Sequence, residues 1–160
     1  MFYVSARHIA KMKAQFALLN PEEFDKGMWQ LCRAINQLPD IATSWCCSGH
    51  VEEGEKERDV FSVIVHTSND KGLKTIAELY DWWCKFLGTE VVVDGESIAI
   101  HHTTELTISR LVDPLDDQEV VFAWTFSAEV HPGANNSEKY MTALAKAVER
   151  LSFLGNRKTA

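Results

Sequence analysis

The amino-acid sequence predicts an α+β fold, with a mainly antiparallel, mixed sheet of about five strands and helices packed on one face. Apolar residues recur at intervals of three and four along some stretches of the chain, which is the period of an amphipathic helix. Between them lie short stretches rich in β-branched and aromatic residues, which are typical of strands. The Asp94-Gly95 pair separates two such stretches and is a strong hairpin signal, so neighbouring strands are expected to pair antiparallel.

The predicted helices cover residues 5–18, a stretch that follows Asn20-Pro21 and ends near Pro39, residues 70–87 and residues 137–153. Asn20 suits the N-cap of the second helix, and Pro21 suits its first position because the N–H that proline lacks would be unpaired there. We expect one domain over residues 1–160, with an N-terminal helical segment at 1–20 and a flexible tail at 154–160.

Strands are predicted at residues 41–47, 60–66, 89–93, 97–102 and 119–130. The fourth could continue toward Leu111. The even-numbered residues from Val120 to Val130 are all apolar, so we expect one face of the last strand to be buried. A weak internal repeat relates the strand ending at His66, with its following helix, to the strand ending at His131 with its own. Chance resemblance is the alternative, because strand-loop-helix units are common.

Composition limits the function classes. The chain has a formal net charge of −7 and no broad basic patch, so extended nucleic-acid binding is disfavoured. No run of 18 apolar residues exists and the N-terminus lacks a signal-peptide pattern, so we expect a cytoplasmic protein with no membrane partner. Two of the four cysteines are adjacent, which fits reduced thiols better than a disulfide framework.

The turn Cys46-Cys47-Ser48-Gly49-His50 carries the most chemistry in the sequence. Gly49 permits a positive φ, so backbone amides can turn toward a ligand, and Ser48 adds a hydroxyl. Cys47 and His50 are three residues apart, which would allow His50 to lower the thiol pKa or both side chains to bind one metal ion. The alternative is an ordinary strand end with two buried thiols and a polar turn.

Histidines and tryptophans extend this candidate site. A zinc ion could draw Cys47 and His50 together with His66 or His101, although the ordinary interpretation of each histidine is an exposed or hydrogen-bonded side chain. Trp45 directly precedes the cysteine turn and could stack on a planar ligand such as a nucleobase. Like Trp29 and Trp82, it lies off the main apolar stripes, as residues that line pockets or interfaces often do.

Residues 29–51, from Trp29 through Cys47-Ser48-Gly49 to Val51, resemble a segment of the wybutosine-synthesis tRNA methyltransferase family. In that family a similar helix and strand lead into Ser-Ser-Cys-Ser-Gly-Arg. In this sequence Cys46 replaces a serine of that motif and His50 replaces its arginine. The resemblance implies an S-adenosylmethionine-dependent enzyme that acts on a modified guanosine in tRNA. Small bacteriophage proteins are also similar around a Cys-Ser-Gly-His turn.

These observations lead to one main hypothesis and two alternatives. The main hypothesis is a small intracellular binding protein that holds a polar, nucleotide-like ligand through Trp45, the 47–50 turn and His66, and that forms a homodimer. The first alternative is an S-adenosylmethionine-dependent tRNA-modifying methyltransferase. The second is a non-catalytic, phage-encoded acidic protein that binds a host protein. Whether the protein is an enzyme stays open, as does its cofactor, for which S-adenosylmethionine and zinc are the candidates.

Overall fold

The computed structural model describes residues 3–25, 27–47, 59–87, 91–93, 96–98, 104–113, 116–130 and 136–157. The candidate residues Ser48, Gly49, His50 and His101 lie outside these ranges, as do His131 and the side chain of Cys47. In chain order the described elements are α1 (Ala6–Ala17), a 3-10 turn (Pro21–Glu23), α2 (Met28–Asn36), β1 (Ile41–Cys47), β2 (Asp59–Thr67), α3 (Asp70–Leu87), β3 (Val91–Val93), β4 (Glu96–Ile98), β5 (Thr104–Asp113), β6 (Asp116–Val130) and α4 (Asn136–Arg157).

A four-stranded sheet with the order β1-β2-β6-β5 forms the centre of the fold, and β3 pairs with β4 in a separate two-stranded ribbon. All pairings in the described chain are antiparallel. The α+β class is therefore confirmed, whereas the expected mixed sheet of about five strands becomes four antiparallel strands plus a ribbon. The difference arises because Ser97 and Ile98, the described part of the strand predicted at 97–102, pair with β3, whereas β5, from Thr104 on, pairs with β6.

The main core fills the space between one face of this sheet and α2, α3 and α4. Side chains of alternating residues on β2 and β6 point into it, and Phe126, Trp83 and Tyr140 are among its fully buried members. The alternation predicted for β6 is confirmed at Trp124, Phe126 and Ala128, which are all buried.

Helix α1 packs on the opposite face of the sheet, which corrects the expectation that all helices share one face. Ile9 and Met12 form a second buried cluster with Ala42 of β1 and Val121 of β6. These two strand residues alternate with the ones that face the main core, so both faces of the sheet are apolar where α1 lies. The Lys13 ammonium also donates to the Leu38 carbonyl oxygen at 2.6 Å and ties α1 to the loop before β1.

The segment between α1 and α2 differs from the predicted continuous helix. The Asn20 side chain caps as predicted and accepts from the Glu22 N–H at 3.1 Å, but only a 3-10 turn follows it. Helix α2 begins at Met28, after Gly27 with a φ of 82°. A Cβ at Gly27 would lie 2.9 Å from the Glu138 carbonyl oxygen, so glycine also permits the close approach of α2 and α4.

Other helix predictions agree closely with the structure. Helix α3 has the predicted bounds, with Ile76, Leu79 and Trp83 buried and Leu73 exposed. Helix α4 continues to Arg157, so residues 154–157 are helical where a flexible tail was expected. No described helix has the length and apolar character needed to cross a bilayer.

The two units of the suspected repeat occupy related places in the sheet. Strand β2 is followed by α3 and strand β6 by α4, and β2 and β6 are antiparallel neighbours at the sheet centre. Each of these strands also pairs on its outer side with the strand that precedes it, β1 or β5. His66 lies on β2, whereas His131 falls outside the described residues.

A polar junction fixes the start of β1 against the end of β2 and the start of α3. The Thr67 hydroxyl donates to the Asp40 carbonyl oxygen at 3.0 Å, and the Gly72 N–H donates to Asn69 Oδ1 at 2.9 Å. A Cβ at Gly72 would lie 2.5 Å from the Asp40 carbonyl oxygen and within the contact distance of Thr67 Oγ1. The junction has no room for a larger residue there.

We expect Gly72→Ala to lower the free energy of unfolding by about 1–3 kcal/mol, because the added methyl group overpacks this junction. Urea denaturation followed by circular dichroism measures the change. Thr67→Ala removes the hydroxyl that the methyl group meets, so the double variant should lose less stability than the sum of the two single variants. Lys74→Ala, at an exposed position of α3, is the control. A Gly72→Ala protein as stable as the wild type would contradict this packing.

Stability should fall as the pH rises above about 10, because Tyr140 is fully buried. Burial raises the pKa of its phenol above the ordinary value, with a smaller contribution from Cys84. The unfolded chain then ionises at a pH where the folded chain does not, so alkali favours unfolding. Urea midpoints at pH 8 and pH 10.5, compared between the wild type and Tyr140→Phe, check this. An equal fall in both proteins would contradict the prediction.

Candidate functional site

A cleft of about 620 Å³ lies beside β1, at one edge of the four-stranded sheet. Helix α1 and the segment after it contribute mainly apolar side chains, including Phe16, Leu19 and Phe24, while residues 43–46 of β1 and Cys32 of α2 form the facing wall. The cleft arises because α1 covers one face of the sheet and α2 the other, and the edge strand lies between them. Its volume falls within the range of small-molecule sites.

A bulge in β1 shapes the strand's contribution to the cleft. Thr43 pairs with Val65 and Trp45 pairs with Ile64, so Ser44 is an extra residue without its own partner position. A regular strand would direct Trp45 to the same face as Thr43, toward the main core. The extra residue reverses this order, so Cys46 packs against the core and Trp45 remains 54% exposed in the cleft wall.

Asn36, the last residue of α2, holds β1 in place directly before the bulge. Its Nδ2 donates to Thr43 Oγ1 at 2.7 Å, and its Oδ1 accepts from the Thr43 backbone N–H at 2.9 Å. These bonds satisfy an outward-facing donor of the edge strand and join α2 to β1. Thr43, at the start of the wall formed by residues 43–46, is therefore held in place before any ligand arrives.

Aromatic rings on the α1 side of the cleft pack against one another without any ligand. The Phe16 ring stacks on Trp29, with centroids 6.2 Å apart and planes inclined by 22°, and meets the edge of Phe24 at 5.8 Å. The Arg33 guanidinium lies 5.3 Å from the centre of the Trp29 ring. Trp29, predicted to lie off the core stripe, therefore supports the cleft from behind. The exposed Trp45 and the packed Phe16 and Phe24 are the aromatic surfaces that a planar ligand would meet.

Two thiols meet in the cleft wall. Cys32 is buried in the core, half-buried Cys46 packs against the core cluster to which Cys32 belongs, and hydrogen bonding between the two thiols shifts the pKa of both. The bond from Cys32 lowers the pKa of the Cys46 thiol, although burial and Asp25 oppose this effect. The same bond, together with burial, raises the pKa of the Cys32 thiol well above its ordinary value, while a hydrogen bond from Thr43 counteracts it. Cys46 is therefore the thiol of the pair that ionises first.

His66 is buried on the face of the sheet that α1 covers, opposite Ala42. Its Nε2 is 2.8 Å from the Ser44 hydroxyl oxygen. His66 does not line the cleft, but Ser44 does, so the Ser44 hydroxyl links the histidine to the cleft. Of the residues predicted to form the site, the structure therefore joins Trp45 to the cleft directly and His66 indirectly.

The described lining carries no charged side chain. Its polar groups are the amide of Gln15, the hydroxyls of Thr43 and Ser44, and the two thiols. Among the described residues no three His, Cys, Asp or Glu side chains gather as a metal site. An apolar, aromatic wall with a few neutral hydrogen-bonding groups is suited to an uncharged planar ligand rather than to a bare anion.

The wall formed by α1 and α2 was not predicted from the sequence. Cys32 follows Leu31 and lies four residues after Met28, so its helical position alone could have placed it on the buried face. Phe16 lies in the helix predicted at residues 5–18, and its position in the sequence gives no reason to expect a cavity beside it. The prediction instead centred on residues 47–50, of which only the Cys47 backbone, at the end of β1, lies in the described chain.

Comparison of the chain with protein-family models, with curated proteins and with solved structures finds no significant match.

Proposed function

We propose that this protein binds a small planar ligand in the cleft beside β1, and that the ligand is nucleotide-like. The observation that carries the proposal is Trp45, a large aromatic side chain held 54% exposed in the wall of a mainly apolar cleft. Stacking of a base on such a ring contributes about 1–3 kcal/mol. A ligand that covers Trp45 would also remove apolar surface from water.

Because the described lining is uncharged, the cleft would hold the neutral part of the ligand. A nucleobase or nucleoside is planar and neutral, and its edge could bond to the hydroxyls of Thr43 and Ser44. Phosphate groups would have to lie outside this lining. Residues 48–50 follow β1 directly in the sequence, so the Ser48 hydroxyl, the backbone amides around Gly49 and His50 are the groups proposed for the polar end of the ligand.

The proposed compartment is the cytoplasm. Cys32, Cys46 and Cys84 are free thiols. Reducing compartments keep such thiols reduced, whereas secreted proteins of this size usually pair them.

A second candidate function is S-adenosylmethionine-dependent methyl transfer to tRNA. One observation favours it, because the segment that resembles the wybutosine-synthesis methyltransferases, residues 29–51, includes most of α2 and all of β1, which form one wall of the cleft. The net charge of −7 opposes an extended tRNA contact, so simple ligand binding remains the leading proposal. Methyl transfer from labelled S-adenosylmethionine to tRNA tests this candidate, and its absence would remove the candidate without affecting the first.

Ligand binding is tested by thermal melts with adenosine, guanosine, their monophosphates and S-adenosylmethionine, followed by titration calorimetry of any compound that raises the melting temperature. We expect at least one purine compound to bind. Trp45→Ala should weaken that binding by roughly 5- to 150-fold, which corresponds to the loss of about 1–3 kcal/mol of stacking.

Trp82→Ala is the matched control, because Trp82 is a partly exposed tryptophan on α3 that does not line the cleft. It should bind the same compound with wild-type affinity. Equal losses in the two variants, or no melting shift with any compound in the panel, would refute the proposal.

A further inference from the structure

The Cys32–Cys46 pair is not needed for the proposed ligand binding, yet its arrangement is chemically specific. One thiol comes from the middle of α2 and the other from β1 after the bulge, and both line the cleft. Cys32 is 1% exposed, whereas Cys46 is half-buried, so a reagent in the cleft reaches Cys46 more easily. Cys46 packs against the core cluster to which Cys32 belongs, and both residues line the same cleft, so a group attached to Cys46 would lie near Cys32.

We propose that Cys46 and Cys32 form a dithiol site in the cleft wall that reacts with small-molecule disulfides, with Cys46 as the attacking thiol and Cys32 as the resolving thiol. The oxidant belongs to the class of glutathione disulfide. The site does not depend on nucleotide binding, and it can be tested on the protein without any ligand.

The first step is thiol–disulfide exchange at Cys46. Its thiolate attacks one sulfur of the small disulfide, the S–S bond of the reagent breaks, and one small thiolate leaves. The product is a mixed disulfide on Cys46. The hydrogen bond that Cys32 donates stabilises the attacking thiolate, and Asp25 is the charged group that acts against it.

The second step closes the protein disulfide. In the mixed disulfide Cys46 no longer carries a thiolate. The hydrogen bond with Cys46 that raises the pKa of the Cys32 thiol is therefore lost. The hydrogen bond from the Thr43 hydroxyl remains and favours the ionised form of Cys32. Cys32 gives its proton to solvent and attacks the Cys46 sulfur, and the second small thiolate leaves.

The overall reaction is balanced. Two protein thiols are oxidised to one disulfide, and one small disulfide is reduced to two thiols, with two electrons transferred. The sulfur atoms must approach each other to the covalent distance of about 2.05 Å. Since Cys46 is on the edge strand and next to the bulge, β1 has fewer contacts that resist this movement than a central strand would have.

The test uses the Cys47→Ser, Cys84→Ser double variant, which retains only Cys32 and Cys46 of the four cysteines. The folded protein is incubated with glutathione disulfide at neutral pH and analysed by intact-mass and peptide mass spectrometry. We expect the loss of two hydrogens and a peptide linked through Cys32 and Cys46. Addition of Cys32→Ser should stop the reaction at one glutathione per chain, attached to Cys46. Cys32→Ala serves as a second variant if the serine prevents folding.

The pH dependence of Cys46 alkylation shows whether Cys46 reacts because Cys32 favours its thiolate or only because Cys46 is accessible. The pH profile of Cys46 alkylation by iodoacetamide should have its midpoint below that of an ordinary thiol, and Cys32→Ala should raise that midpoint. A folded protein that forms no Cys32–Cys46 disulfide would overturn the proposal. So would attachment of glutathione to Cys32 before Cys46, or an unchanged pH midpoint in Cys32→Ala.

Discussion

The candidate site depends on the single extra residue in β1 and on the side chain that holds the strand beside it. Ser44 shifts the register of β1 against β2, and Asn36 binds both the backbone and the hydroxyl of Thr43. With a regular strand, Trp45 would point into the core and Cys46 away from it. The bulge therefore produces the exposed tryptophan of the cleft and also directs Cys46 toward the core cluster that contains Cys32.

The cleft forms at the sheet edge because helices cover the two faces of the sheet by different amounts. Three helices pack on one face through the main core, whereas α1 covers part of the other face through a small second cluster. Between α1 and α2 the chain makes a 3-10 turn and a left-handed glycine instead of a continuous helix. Phe24 thereby joins the rim of the cleft, and the edge of β1 faces an apolar cavity rather than another strand.

Most of the elements could be predicted from the sequence, since their signals are local. The bounds of β1 and α3 agree with the prediction because alternating or helical apolar patterns and clear turn residues define them. The face on which α1 packs could not be predicted in this way. Its apolar stripe requires a partner, but only the tertiary fold specifies that the partner is Ala42 and Val121.

The candidate site was predicted only in part, also for physical reasons. A tryptophan before a cysteine turn indicated a stacking surface, and Trp45 does line the cleft. The bulge leaves no clear local signal in residues 43–46, so strand alternation alone assigns their side chains to the wrong faces. The contact between Cys32 and Cys46 joins residues of two elements, and nothing in their spacing reveals it.

The central claim is that the cleft beside β1 is the ligand site, and backbone NMR tests it most directly. The ¹⁵N-labelled protein would be titrated with adenosine or guanosine, whichever gives the larger melting shift. The amide resonances of residues 12–19, 32 and 43–46 should move together and saturate at one dissociation constant. Shifts confined to α3 or β5, with the resonances of β1 unchanged, would contradict the account.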